Sequence, residues 1–271
     1  MPFASANGID IYYELHGAGE PLVMIAGLGS DHTGFVQLQV PAFGGRFQCV
    51  LLDNRGIGRS GKPDAPYATW QMADDVAALL DAIGLESAHV AGWSMGGAIA
   101  QHLALRHPHT VRSLQLHCTW PRTDRFLAWQ LERRRVILTK LGREELYRHV
   151  MLSTFTPRFF EEHLDQVEAT LRTILDNPDP QPIHAYLRQL DACIEHDAEA
   201  GLERIRVPTL ITVGDQDPLI APRFAHRLKE RIPPAELVVL EDAAHGHSLE
   251  QTERFNAVCL DFLARRVGVA A

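Results

Sequence analysis

A surplus of positive charge is missing from this chain: 26 lysines and arginines stand against 34 aspartates and glutamates, a net charge of −8, with both signs interspersed over 271 residues. No basic face results, which argues against a phosphate backbone as partner. Long apolar runs are absent too. No stretch reaches the roughly 20 residues of a membrane span, so no membrane partner is expected. The opening MPFASANGIDIYY has neither the basic start and apolar core nor the small-residue cleavage site of a secretory leader. Cysteine is scarce. Cys49, Cys118, Cys193 and Cys259 are scattered without metal-type spacing, which fits the reduced thiols of a cytoplasmic protein better than a disulfide framework. Histidine is plentiful at 14, yet His245 and His247 are followed by Ser248 and Leu249, so the HxHxDH cluster of a metal hydrolase is not there. No metal is expected. Asp53 to Ser60 is glycine-rich and carries Arg55, but it lacks the lysine and helix of a P-loop and the spacing of a dinucleotide fingerprint. It reads as scaffold, with Arg55 in a local ion pair.

What is present is the balance of a packed globular protein, with 46% apolar and 22% charged residues. Leu22 to Ala26, Cys49 to Asp53, His89 to Gly92 and Val111 to His117 read as strands, the last three nearly continuous in apolar character, as in buried parallel strands. Met72, Val76, Leu79, Leu80 and Ile83 form one apolar stripe of an intervening helix. The alternation resumes with Thr209 to Val213, Leu237 to Leu240 and a closing helix whose inner face carries Phe255, Val258, Cys259 and Phe262. The order implies an α/β fold with a mostly parallel central sheet covered by helices on both faces. Between Thr119 and His196 the strand signal stops for roughly 80 residues, far beyond a simple loop. Four helices are expected there. Leu127, Leu131, Leu138 and Leu141 share one face, and Leu164, Val167, Leu171, Ile174 and Leu175 another; Pro157 marks a helix start and Asn177 to Pro180 a break. The expected organisation is a core from 1–118 and 197–271 with an inserted helical cap over 119–196.

Gly92-Trp93-Ser94-Met95-Gly96 follows a predicted strand and precedes a predicted helix from Ala98 to Arg106. A serine projected from a strained turn needs neighbours without side chains, so that helix and strand can pack closely. In isolation the pattern could be an ordinary small-residue turn; the flanking strand and helix are what a nucleophile requires. Serine is a poor nucleophile at neutral pH, so a base must take its proton and a third group must fix the base's tautomer. The chain offers both, in the order Ser, Asp, His. Asp215 and Asp217 follow one strand at the sheet edge where ligands bind, and His245 and His247 follow the next. Ile25-Ala26-Gly27-Leu28-Gly29 ends a strand in the kind of turn that aims a backbone N–H at a developing oxyanion.

On these motifs, over residues 7 to 118 and 197 to 267, the chain resembles the α/β-hydrolase superfamily. The likeness is more particular to enol-lactonases, acyl-homoserine lactonases and non-haem haloperoxidase-like serine esterases. The resemblance implies Ser94 as nucleophile. It selects Asp217 over Asp215, because the family's acid lies three residues after the strand-ending glycine, here Gly214. It selects His245 over His247, because the family's histidine precedes a glutamate by five positions, here Glu250. It implies Leu28 and Met95 as oxyanion-hole donors. Ala26 departs from the family's frequent histidine and changes the support behind that loop. The implied reaction is hydrolysis of a carboxylic ester or lactone through an acyl-enzyme, with an acyl-homoserine lactone among the substrates and no cofactor.

Other functions share these motifs. Peroxide can replace water on the same acyl-enzyme, giving a perhydrolase or haloperoxidase-like enzyme. Gly92-Trp93-Ser94 also resembles the elbow of the esterase acting on acyl-carrier-protein esters, and the basic run Arg133 to Arg135 could meet an acidic carrier. Glu132, Glu144 and Glu145 offset that run, which reads best as a solvated helix face. Hydrolase scaffolds also serve as non-catalytic small-molecule receptors, but a full Ser, Asp and His set weighs against that. The expected partner is a small-molecule ester or lactone of medium size, with Trp93 and Trp120 as candidate substrate-binding walls unless they belong to the core.

Overall fold

The computed structural model describes residues 2–266. Among them one sheet contains β1 (Phe3–Ala6), β2 (Ile9–His16), β3 (Glu20–Ile25), β4 (Phe47–Leu52), β5 (Ala88–Trp93), β6 (Val111–His117), β7 (Thr209–Gly214) and β8 (Ala235–Leu240), in the order β1-β2-β4-β3-β5-β6-β7-β8. β2 is antiparallel to β1 and to β4. The remaining pairs are parallel. The helices around the sheet are α1 (Thr33–Leu38), α2 (Val40–Phe43), α3 (Thr69–Ala82), α4 (Met95–Arg106), α9 (Pro222–Arg231), α10 (His247–Glu250) and α11 (Thr252–Ala264). Between β6 and β7 come α5 (Arg125–Leu141), α6 (Arg143–Thr154), α7 (Pro157–Leu175) and α8 (Ile183–Ile194). Among the described residues no helix is long and apolar enough to cross a membrane.

The first two strands were not among those expected from apolar runs. They form a hairpin turned by Asn7 (φ 49°) and Gly8 (φ 80°), the positive-φ pair that an Asn-Gly turn adopts. The parallel strands are buried on both sides because alternate residues feed two cores. Val23, Ile25, Val50, Leu52 and Val90 pack with Met72, Val76 and Leu79 of α3 and Ile99 and Leu103 of α4. Leu22, Met24, Cys49, Leu51 and Ala91 pack with Phe255, Cys259 and Phe262 of α11.

The chain leaves β3 toward β4 on one side and returns as β5 on the other. The crevice outside the carboxyl ends of β3 and β5 is therefore the switch point of the sheet, where open α/β folds bind ligands. Ile25 and Gly92 are register partners, so the loops after them emerge side by side.

Leu127, Leu131 and Leu138 of α5 and Tyr186, Leu190 and Cys193 of α8 join the same apolar cluster as α3 and α4. Tyr147, Met151, Phe155, Val167 and Leu171 make a smaller cluster between α6 and α7. Leu141 and Leu164, expected on inner faces, are 63% and 51% exposed. Leu141 ends α5 just before Gly142 (φ 93°), and a kink at His163 shifts the phase of α7 immediately before Leu164. The neck of the inserted segment is closed by backbone bonds from Thr123 N–H to His196 C=O (3.0 Å) and from Ala198 N–H to Pro121 C=O (2.9 Å).

Candidate active site

Ser94 stands between β5 and α4 at φ 54°, ψ −115°, a conformation that a residue with a Cβ rarely adopts. Its surroundings over-determine it. The Ser94 N–H donates to His117 C=O (2.9 Å), and its carbonyl accepts from Gly97 N–H (2.9 Å), Ala98 N–H (3.2 Å) and Thr119 Oγ1 (2.8 Å). The flanking glycines explain why the turn closes so tightly. A Cβ on Gly92 would run into the carbonyl of Gly96, and a Cβ on Gly96 would run into the carbonyl of Ile25. The elbow is thus pressed against both β5 and the end of β3, and the hydroxyl is the part left to project.

The loops after β7 and β8 bring two further groups to that hydroxyl. His245 Nε2 lies 3.1 Å from Ser94 Oγ, and its Nδ1 lies 2.8 Å from Asp217 Oδ2. The other carboxylate oxygen, Oδ1, accepts the N–H groups of Leu219 (2.9 Å) and Ile220 (2.8 Å), so the acid is fixed before it meets the histidine. Asp217 is buried and Asp215 is exposed. Asp215 Oδ1 accepts instead from Ala243 N–H at 3.3 Å and shapes the turn. Asp217→Asn is therefore expected to lower kcat by about 10⁴-fold, because an amide donating to Nδ1 imposes the wrong tautomer. Asp215→Asn should stay within about tenfold of the parent. Steady-state rates on one ester compare them, and equal small losses would place the acid elsewhere.

His247, the neighbour with the same chemistry, points away. It is buried, with Nε2 bonded to Thr212 Oγ1 (2.9 Å) and its ring 5.3 Å from that of Phe255. Burial pushes its pKa down to about 4, so near neutral pH it is an uncharged imidazole within the core. Glu250 explains the five-residue spacing after His245. Its Oε2 accepts from Ala244 N–H and its Oε1 from Thr156 N–H, both at 2.6 Å, so one carboxylate ties the histidine loop to the α6–α7 junction. His245 N–H and Gly246 N–H also donate to Ser153 C=O (3.3 Å) and Thr154 C=O (2.7 Å).

Leu28 follows Gly27 in the turn after β3, and a Cβ on Gly27 would sit 3.3 Å from Ser94 Cβ and 4.0 Å from its Oγ. Met95 opens α4, where helix N–H groups lack intrahelical acceptors. The Gly27 turn that bears Leu28 thus lies against Ser94, and Met95 follows Ser94 directly in the chain. Support behind the Gly27 turn comes from residues that sequence reasoning passed over. Asn54 Nδ2 donates to Ala26 C=O (3.0 Å), Gly29 N–H donates to Gln189 Oε1 (3.2 Å), and Gln189 Nε2 donates to Arg55 C=O (2.8 Å). Arg55 itself is ion-paired with Asp75 at 2.6 Å, both side chains buried. No spacing in the sequence marks Gln189, because its role depends on how α8 lies over the sheet.

The two tryptophans, read from the sequence as pocket walls or core, both make packing contacts. The Trp93 ring lies 4.7 Å from Phe35 and 4.5 Å from His117, among side chains on the α11 side of the sheet. Trp120 is 2% exposed, with Nε1 donating to Thr123 Oγ1 (2.7 Å). Strand alternation accounts for Trp93: a residue directly before the elbow must turn its side chain into the sheet's covering layer.

A model of the α/β hydrolase fold matches residues 20–251. Among known proteins, "Putative carbamate hydrolase RutD" of Azorhizobium caulinodans is 37% identical over 265 residues, 97% of this chain and 98% of that one. Among solved structures, the enol-lactonase from Burkholderia xenovorans LB400 superposes with a TM-score of 0.88 at 27% identity, covering 97% of this chain and 100% of that one. Est816, described as an N-acyl homoserine lactone degrading enzyme, superposes with a TM-score of 0.84 at 26% identity, covering 96% and 100%.

Proposed function

The chain belongs to the α/β-hydrolase family, and from that premise we propose that it is a serine hydrolase acting on a carboxylic ester or lactone. The observation that carries this reading is the unbroken relay from Asp217 through His245 to Ser94, ending on a hydroxyl held at a strained turn. Ser94 Oγ attacks the carbonyl carbon while His245 Nε2 takes its proton. The oxyanion settles against the N–H groups of Leu28 and Met95, where pre-aimed dipoles need no reorganisation. The bond to the leaving alkoxide then breaks as the imidazolium protonates it. In a lactone that alcohol stays tethered to the acyl group. Water, giving its proton to His245, attacks the acyl carbon and releases the acid, and the proton returns to Ser94.

The helices α5–α8 act in this reading as a cap, whose fixed contacts with the Gly27 turn and the histidine loop limit substrate size. A carbamate is the second reading, favoured by 37% identity over 97% of the chain to a protein named for carbamate hydrolysis. Its carbonyl would meet the same groups, with lower electrophilicity because the nitrogen lone pair delocalises into it. The test is a panel of p-nitrophenyl esters of short and medium chain, simple and acyl-homoserine lactones, an aryl carbamate and emulsified triolein. The highest kcat/KM is expected on a medium-sized ester or lactone. Turnover confined to the carbamate would favour the second reading, and preference for triolein with activation at the oil interface would refute the size limit set by the cap.

A further inference from the structure

Of the run Arg133 to Arg135, two members have ordinary explanations. Arg133 is exposed, and Arg135 is paired with Glu132 and Asp191 at 2.8 and 2.5 Å. Arg134 has none. It is 6% exposed, and among the described residues no carboxylate is paired with it. Its neighbours are neutral hydroxyls, Ser153 Oγ at 3.3 Å from Nη2 and the phenol of Tyr186. A guanidinium withdrawn from water without a counter-charge is costly, and folded proteins rarely keep one without use.

Its position says what the charge faces. Ser153, on one side, accepts through its carbonyl from His245 N–H. Tyr186, on the other, has its ring 3.1 Å from where a Cβ on Gly29 would stand. Arg134 therefore hangs from α5 between the histidine loop and the Gly27 turn, the two structures that flank Ser94. It also lines a cavity of about 690 Å³ between α5, α6 and the loop after β7. Ser94 is not one of the walls, but Ser153 and Leu219 are, and Leu219 N–H holds Asp217 Oδ1. Exposed Arg125 and Arg133 stand toward solvent with Phe126, Trp129 and Leu152, which are 63%, 82% and 65% exposed, while Arg134 is buried. Among the described residues no aspartate or glutamate lines the cavity. In a chain of net charge −8 this is a local concentration of positive charge with apolar sides.

We propose that Arg134 is a specificity-determining residue that binds a carboxylate carried by the substrate, so that the natural substrate is an acidic ester or lactone of medium length. The cavity is its approach. The planar guanidinium can hold a carboxylate through two parallel N–H bonds, and a short apolar spacer would separate that group from the carbonyl offered to Ser94. This proposal rests on the serine-hydrolase reading for its turnover but not for its binding.

Two measurements test it separately. First, p-nitrophenyl hydrogen glutarate is compared with p-nitrophenyl valerate, an uncharged ester of the same chain length. The parent should favour the anionic ester by about 10- to 100-fold in kcat/KM, the range of a charge-assisted bidentate pair. Arg134→Gln should abolish that preference, mainly through KM, while leaving valerate within about threefold; Arg134→Lys should keep part of it. A parent that favours valerate, or a Gln variant that loses both esters equally, overturns the proposal. Second, calorimetry on Ser94→Ala with monomethyl glutarate and dimethyl glutarate needs neither turnover nor a stable Arg134 variant. Saturable binding of the monoanion alone is expected, and equal or absent binding of both refutes the anion site. Binding of the monoanion without turnover of either aryl ester would remove the hydrolase reading and leave the anion site standing.

Discussion

Ser94→Ala is expected to lower kcat for ester hydrolysis by at least about 10⁴-fold, because the Asp217–His245 pair then has no hydroxyl to activate. The residual rate would come from substrate binding and the oxyanion donors alone. The fold should survive, since the bonds that hold the elbow run through the Ser94 backbone and not its side chain. Ser94→Gly should be equally inactive yet more stable than the alanine variant by about 1 kcal/mol. At φ 54°, ψ −115° only glycine escapes a penalty of about 1–3 kcal/mol, partly offset by glycine's extra freedom in the unfolded chain, about 0.5–1 kcal/mol. Urea denaturation of the two variants measures the difference. An alanine variant that keeps its activity would remove Ser94 from the chemistry; a glycine variant less stable than alanine would mean the turn is not strained.

The second large effect separates two histidines two positions apart. His245→Ala should cost about 10⁴- to 10⁶-fold in kcat, since among the described residues no other group lies at hydrogen-bond distance from Ser94 Oγ to accept its proton. His247→Asn should stay within about tenfold in kcat while lowering the denaturation midpoint, because it disturbs a buried bond to Thr212 and packing against Phe255. Rates and urea midpoints on the same preparations give both halves of the prediction. A dead His247 variant beside a nearly normal His245 variant would shift the register of the whole loop.

The parallel strands were legible because residues buried on both faces leave continuous apolar runs, and observed boundaries fall within two or three residues of those runs. The N-terminal hairpin was missed despite its Asn7-Gly8 turn, because its alternation is half polar and yields no apolar run. Spacing singled out Ser94, Asp217 and His245, and the structure brings the three within hydrogen-bond distance, because each lies on a short loop directly after a strand, where local sequence and sheet register decide position. Glu250 shows the physical content of one such spacing: it bonds the Ala244 N–H beside His245 and the Thr156 N–H between α6 and α7. For Trp93 the sequence left wall and core open, because adjacency to Ser94 in the chain does not say which way a side chain turns; its ring packs against Phe35 and His117. Gln189, Tyr186 and Arg134 were out of reach for a different reason. They act through the packing of α5 and α8 over the sheet, and a helical stripe says that a face is buried without saying against what.

The claim that Ser94 is an activated nucleophile is tested most directly by treating the protein with a fluorophosphonate probe and locating the adduct by peptide mass spectrometry. One phosphonyl group per chain, on the peptide containing Ser94, with labelling abolished in Ser94→Ala and strongly slowed in His245→Ala, is the predicted result. An adduct on another serine, or no adduct on a preparation that still hydrolyses esters, would contradict it.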